Sequence, residues 1–465
     1  LSNRSQRQPL LAVQLVRHCV ERGRFELTDG AIRLASGDNL PVDISEVWHE
    51  RLDFLLEARD EAATIALERA SALGEFVESA LWDEPFEDLV ADLVAADMAR
   101  RHDEGWSFEH PSLQQVIEER ARLADRWIEH HGHYAAELAA GDPTPGSSEH
   151  LRLARHLFEG EQFEEAADAL MDAWKAFMRR TDYRTARSCL EMRVRALRGC
   201  GFEDGDRELI SNAWRLALTA WNLGDVDQAR RMADRVVEVA SKHGWEVEHA
   251  SGTRIQGLLA ADAGRLSEAR MHFEEAAAIY EKNGSEHRAG DVEADRAWIS
   301  VRSGQFERAL GEFDRFERTI ERIGSEAYRP LILAHRAGVL AQMERAGEAR
   351  EVAERALELA AADSNLRAEA RAWWSLAEVA MSQDAFEEAV RHYDEATRLL
   401  ERCGSNQQCI VALEGWLADL ESNPDGSHRE KLDALDEQLR HHQFAARIPE
   451  MLMARALLEA RGGDL

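Results

Sequence analysis

The sequence predicts an all-α protein: an α-solenoid superhelix preceded by a winged-helix domain with a small β-wing. Three observations lead there. Ala229, Ala269, Ala309, Ala349 and Ala389 recur every 40 residues without a slip, and an unbroken period of that length marks a stack of identical helical units. Around each alanine, apolar residues return at helical spacing on both sides of a short turn. Nearer the N-terminus, three helical patterns are followed by one short hairpin pattern, which is the order of a winged helix.

Taken in order, residues 9–22 read as a helix and residues 24–34 as strand-like. Beyond Leu40-Pro41, amphipathic helices cover residues 45–57 and 59–73, and a third covers 86–96. Residues 98–108 then form a hairpin with Asp103-Glu104-Gly105 at its tip, and helices start at Pro111 and near Ala124. The run from Gly141 to Ser148, with two prolines and two glycines, is the clearest linker. Phe163 with Ala166, and Tyr183 with Ala186, carry the turn chemistry of the array only 20 residues apart, so residues 149–205 form a degenerate lead-in. Five 40-residue units occupy residues 206–404. After them Asn423-Pro424-Asp425-Gly426 breaks the chain, and amphipathic stretches at 428–442 and 447–461 make residues 405–465 a helical cap.

Composition excludes several classes. The chain has 465 residues, 45% of them hydrophobic, enough for two or three domains or one domain plus an array. Its 88 acidic against 57 basic residues give a net charge of −31. That field repels phosphate backbones and anionic lipid, which argues against nucleic-acid and membrane partners. Five cysteines without a CxxC pair suit a reducing cytoplasm. No apolar run approaches a membrane span, and no signal peptide is evident. The chain opens on Leu1, which suggests a piece excised from a longer protein.

Within a unit, helix A is followed by a tight turn and helix B. In the second unit Gly257 and Ala269 face each other, Gly264 makes the turn with its freedom at positive φ, and Phe273 and Ala276 share a face of helix B. Gly304, Phe306, Ala309 and Phe313 repeat the arrangement, as do Ala377, Phe386, Ala389, Tyr393 and Ala396. This pattern resembles the tetratricopeptide repeat (TPR), whose unit is about 34 residues. The helices or the inter-unit turns must absorb the surplus. Glu344 and Asp384 replace the turn glycine in two units, and Ala233 and Ala353 replace the aromatic.

A second resemblance covers residues 7–140. Arg22-Gly23, Leu40-Pro41, Val47 with Arg51-Leu52-Asp53, Ala70 through Leu73-Gly74, and Phe108-Glu109-His110-Pro111 stand in the order seen in bacterial STAND signal-transduction ATPases. The likeness is greatest to those carrying a Ser/Thr kinase domain. It implies that residues 1–40 are a lid-helix remnant and residues 41–140 the winged helix, with the array as sensor in a right-handed superhelix. It also implies that His110 reaches the phosphate of ADP in the parent. The lid motif departs from the family's Gly-Asn-Pro, reading Arg7-Gln8-Pro9, and no phosphate loop or kinase signature set occurs. No cofactor is therefore expected in this chain. ATP or ADP would be held by an upstream nucleotide-binding domain, itself an expected partner.

Site candidates follow from the array. In TPR units certain helix A positions line the concave groove; on the alanine register these hold Trp214, Leu218, Trp221, Arg254, Leu258 and Asp262, then Trp298, Arg302, Arg371, Trp374 and Met381. Tryptophan and arginine dominate binding hot spots because they bury large area or fork onto carboxylates. The partner-binding candidates are accordingly Trp214, Trp221, Arg254, Trp298, Arg302, Arg371 and Trp374. The same tryptophans could instead pack between successive A helices and close a tight superhelix, and Trp373 reads as core. His130, His131 and His133 read as a polar helix face rather than a metal site, because no Glu-x-x-His or cysteine partner stands at ligand spacing; His441-His442 reads the same way. No catalytic set is found. The expectation is a sensor arm that binds a protein or peptide ligand on its concave face. The alternatives are a stand-alone TPR adaptor, or the C-terminal part of a Ser/Thr kinase polypeptide.

Overall fold

The computed structural model describes residues 9–23, 25–28, 31–34, 41, 43–79, 86–324, 328–362, 364–405, 407–423, 428–441 and 448–460. Arg7, Gln8, Leu40, Pro424 to Gly426 and His442 lie outside these. The chain divides into two compact units, one of Leu1–Pro143 with Arg152–Phe163 and one of Thr144–Leu151 with Glu164–Leu465. No helix among the described residues is long and apolar enough to cross a membrane.

The first unit begins with α1 (Pro9–Glu21) and the antiparallel pair β1 (Phe25–Thr28) and β2 (Ala31–Leu34). Helices α2 (Ile44–Leu56) and α3 (Glu61–Leu73) start where an aspartate caps them: the Asp43 carboxylate accepts from the Glu46 N–H at 2.9 Å, and Asp60 from the Ala63 N–H at 3.2 Å. The Asp60 cap explains why α3 starts two residues later than its pattern suggests. Strand β3 (Phe76–Glu78), helix α4 (Glu87–Ala95) and the hairpin β4 (Ala99–His102) and β5 (Gly105–Phe108) follow. The sheet order is β3-β5-β4.

β3 is absent from the sequence reading. Three residues are too few to show alternation, and only pairing with β5 makes them a strand. Gly105 permits that pairing, since a Cβ there would collide with the Val77 carbonyl. Helices α5 (Pro111–Leu123) and α6 (Trp127–Ala140) complete the packing around Trp48, Leu67, Leu93, Trp106, Leu113 and Trp127. Helix α7 (Ser148–Glu159) follows, its residues falling in both units.

The second unit is a solenoid of paired helices of TPR type. Helices α8 (Phe163–Arg179) and α9 (Tyr183–Gly199) lead into pairs α10 (Arg207–Asn222) with α11 (Val226–His243), and α12 (Glu246–Asp262) with α13 (Leu266–Lys282). Then come α14 (Glu286–Arg302) with α15 (Phe306–Ile323), α16 (Arg329–Gln342) with α17 (Ala346–Ala362), and α18 (Leu366–Ser382) with α19 (Phe386–Arg402). The repeat alanines Ala229, Ala269, Ala309, Ala349 and Ala389 are each 0% exposed, wedged in the core of their pairs.

Both kinds of turn are alike. From Gly224 to Gly404 a residue with positive φ recurs every 20 positions. At Gly264 the amides of Gly264 and Arg265 return to the carbonyls of Ala261 and Ala260, each at 2.9 Å, which closes the helix end. With such short turns, the helices take up the surplus over the usual TPR length, at 17 residues in α12, α13 and α14.

Gly257 does not face Ala269 as expected. A Cβ at Gly257 would stand 2.6 Å from the Phe273 ring. Helices running antiparallel from Gly264 bring together residues about equally far from the turn, and Ala269 lies too near it. The Phe273 ring, leaning back toward its helix N-terminus, covers the glycine instead.

The helix A register also runs one element further than the fading sequence period suggests. Helix α20 (Gln408–Ser422) packs on α19, with Gly415 against the Tyr393 ring. Helices α21 (His428–His441) and α22 (Ile448–Ala460) cover it through Leu413, Trp416, Leu432 and Met451.

Candidate functional site

The A helices α10, α12, α14, α16 and α18 present the site candidates, and the array's curvature decides their fate. It comes round on itself. Arg367 on α18 reaches back to α9 and α10, donating through Nη1 to Asn222 Oδ1 at 2.9 Å and to Tyr183 Oη at 3.2 Å. Tyr183 packs into the core formed by Ala370, Tyr393, Leu399 and Cys403. A Cβ on Gly404 would touch Leu223 and Arg184 at 3.5 Å.

This closure fills the first half of the concave face. Trp221 Nε1 donates to Asp262 Oδ2 at 2.7 Å, while the Arg367 guanidinium stands 6.0 Å from the Trp221 ring. Arg254 is held by Asp295 at 2.5 Å and Asp291 at 3.0 Å. Burial would lower its guanidinium, but Asp295 and Asp291 overrule that and raise it above its ordinary value. Trp214 meets Trp174 edge to face with ring centres 6.3 Å apart. Leu258 is buried, Leu218 packs beside Trp214 and Trp221, and Met381 packs against the α18–α19 core. These residues are engaged in packing.

The second half stays open around a cavity of about 520 Å³. Trp298, Arg302, Arg371 and Trp374 line it together, with Asp262 at one end. The Arg302 guanidinium stands 5.0 Å from the Trp298 ring centre and donates to the Ala261 carbonyl at 2.7 Å. The Arg371 guanidinium stands 4.4 Å over Trp374 and donates to Glu378 at 2.9 Å, while its Nη1 is buried without an acceptor among the described residues. Trp374 Nε1 in turn donates to Glu414 at 2.5 Å. Trp373 lies away from the cavity, stacked on His392 at 5.1 Å.

Small side chains stand at two register positions between the wall residues. Gly338 stands 40 residues after Trp298, and Ala334 stands 40 before Trp374. A Cβ at Gly338 would collide with the Arg371 guanidinium and lie 2.8 Å from Glu378 Oε2. The sequence reading sought large side chains and so missed both the hole and three of its walls: His335, Glu378 and Glu414. The repeat period could have found them, because they stand whole periods from Asp295, Trp298 and Trp374.

Electrostatically the cavity mixes signs. Burial lifts the Asp262 carboxyl to about 6, against the Trp221 hydrogen bond and the Arg302 and Arg367 charges. Burial, and then Arg371 and Arg367, hold the His335 imidazole neutral, well below its usual range. The lining includes no serine, threonine, cysteine or lysine. Two indole-backed guanidinium groups beside three carboxylates suit a ligand carrying both signs of charge and apolar groups, such as a peptide.

In the first unit, His110 caps α5: its Nδ1 accepts from the Ser112 N–H at 3.1 Å and lies 2.7 Å from Ser112 Oγ. An accepting Nδ1 leaves the proton on Nε2. The three clustered histidines do not form the polar face expected of them. His130 is buried 3.1 Å from Glu68, which Arg126 also grips, and His131 is buried with its Nδ1 3.0 Å from that of His156; only His133 is exposed. Helix α6 turns its first two histidines into the packing and its third outward, so the trio cannot converge. Among the described residues, no group of three His, Cys, Asp or Glu side chains could hold a metal ion.

No sequence-family model matches the chain, and no curated protein does either. Among solved structures it is similar to a STAND protein with a tetratricopeptide repeat sensor from Pyrococcus horikoshii, at 14% identity and TM-score 0.38 over 94% of this chain and 69% of that one. It is also similar to a Rap protein complexed with competence and sporulation factor, at 12% identity and TM-score 0.46 over 86% and 100% of the two chains. A Rap conjugation gene regulator of plasmid pLS20, in complex with the Phr* peptide, shows 13% identity and TM-score 0.49 over 84% and 98%. These likenesses are too distant to carry the assignment. The helical-repeat class rests on the register and turns described above.

Proposed function

We propose that this chain is the ligand-recognising arm of a STAND-type signalling ATPase and takes a protein or peptide ligand in the open half of its concave face. One observation carries the reading: Trp298, Arg302, Arg371 and Trp374 converge on a cavity of about 520 Å³, where Gly338 leaves room for the Arg371 and Glu378 side chains. Residues 41–140 are read as the winged helix and residues 1–40 as the lid remnant. What supports this is the order α2, α3, α4 and hairpin, together with the motifs around His110. In the intact parent, ligand bound in the cavity would favour an open arrangement, provided that it binds the open and closed states with different affinity.

Peptides selected from a random display library against the chain test the cavity. Trp298→Ala and Arg371→Ala should each weaken the selected peptides by about 2 kcal/mol, the loss expected of hot-spot truncation. Unchanged affinity in both folded variants removes the cavity from the reading. A coding sequence upstream of Leu1 that carries no phosphate loop would remove the STAND assignment alone.

A further inference from the structure

Inside the first turn of the array, two basic side chains approach an indole, and neither is paired with a carboxylate among the described residues. Trp214 and Arg215 belong to α10, and Arg288 to α14. The Arg215 guanidinium stands 4.4 Å from the Trp214 ring centre and 5.6 Å from that of Trp174, and Arg288 approaches Trp214 at 5.2 Å. Both guanidinium groups thus lie against the Trp214 ring.

Two N–H groups of the cluster lack acceptors among the described residues. Arg215 Nη1 donates to the Ser211 carbonyl at 2.5 Å and to Ser211 Oγ at 2.8 Å. Its Nε and the Trp214 Nε1 are buried with no acceptor among the described residues. Among the described residues neither Arg215 nor Arg288 forms an ion pair. Glu208 and Glu248 act on Arg215 from farther off, and Glu248 is taken by both nitrogens of the Arg207 fork at 3.0 and 3.1 Å. Burial, then Arg288 and Arg193, bring the Arg215 guanidinium down to about 10. Arg193 is itself spent on the Ala167 carbonyl and Asn212. In a chain with 88 acidic residues, a spot with two buried donors left over is a departure from its surroundings. Arg215 and Arg288 are each partly exposed as residues, so the cluster borders solvent.

We infer that Trp214, Arg215 and Arg288 form an oxyanion site for a carboxylate or phosphoryl group. The planar forks of the two arginines and the indole N–H are donors of the kind such groups accept. The site goes beyond the cavity reading, since it shares no residue with the cavity.

Calorimetric titration of the full chain at low salt, with inorganic phosphate in one arm and glutarate in the other, tests it. Saturable binding of phosphate alone assigns a phosphoryl ligand, and of glutarate alone a carboxylate. Arg215→Gln and Arg288→Gln should each weaken binding about tenfold or more, as loss of a charge-assisted donor does, whereas the exposed Arg355→Gln leaves it unchanged. Arg215→Gln should also melt no lower than wild type without anion while losing the anion-induced rise in Tm, which a merely structural arginine would not do. Failure of both probes to saturate the wild type, or saturation that survives both variants, overturns the site. Peptide capture through Trp298 would be untouched by that result, so the two readings fail separately.

Discussion

At the scale of single residues, the turns are where this sequence departs from its own rule. Gly224, Gly264 and Gly304 hold φ of 78°, 77° and 68°, and the same positions of the next units hold Glu344 at 60° and Asp384 at 55°. The fold thus imposes the left-handed conformation on residues that pay for it sterically, glutamate more than aspartate. Glu344→Gly should therefore stabilise the array by about 1 kcal/mol and Asp384→Gly by somewhat less, read from urea midpoints. A fall in either midpoint would mean that those side chains contribute contacts outweighing their strain. The glycine pattern made the turns legible in advance. That the register would hold without the glycine could only be expected from the neighbouring units.

At the scale of elements, the helices were legible and their buried polar contacts were not. Patterns of apolar spacing located α1 to α6, and the alanine register located the paired helices of the repeats, because periodicity and capping are local. The pairing of His131 on α6 with His156 on α7 has no such local signature, and it turned an expected surface face into core. Both imidazoles are brought down to about 3, mainly by burial, with nearby cationic or imidazole groups adding to it. In the unfolded chain they titrate near 6.5, so the unfolded state binds more protons between those values. The pair's contribution to stability is therefore complete above about pH 6.5 and is lost as the pH falls toward 3. Amide exchange in α6 should report weaker protection at pH 5 than at pH 7. The double variant His131→Phe with His156→Phe should flatten that dependence, and an unaltered slope would place the acid sensitivity elsewhere.

At the scale of the array, closure across a superhelical turn is the deciding event. Arg367 joins residues 145 and 184 positions away, Asn222 and Tyr183. Spin labels at residues 200 and 407 should move apart in Arg367→Ala, because the guanidinium is the polar tie between α18 and the α9–α10 edge. If the distance distribution stays the same, the apolar packing around Tyr183 holds the turn by itself. Opening this latch would also expose Trp221, whose indole is packed between Asp262 and Arg367.

The amino-acid order alone determined the paired helices, their 40-residue register, the positions of the turns and the candidate inward side chains. Each depends on residues within one or two helices of one another. Only the tertiary structure decided which inward residues are engaged by the array itself and which line the cavity. Trp221 and Arg254 are held by carboxylates of the array and Trp214 packs against Trp174, while Trp298 and Trp374 line the cavity. The physical reason is that curvature accumulates from small rotations at every helix interface. Where the turn meets itself, and what it leaves empty, is a property of the sum that no single repeat encodes.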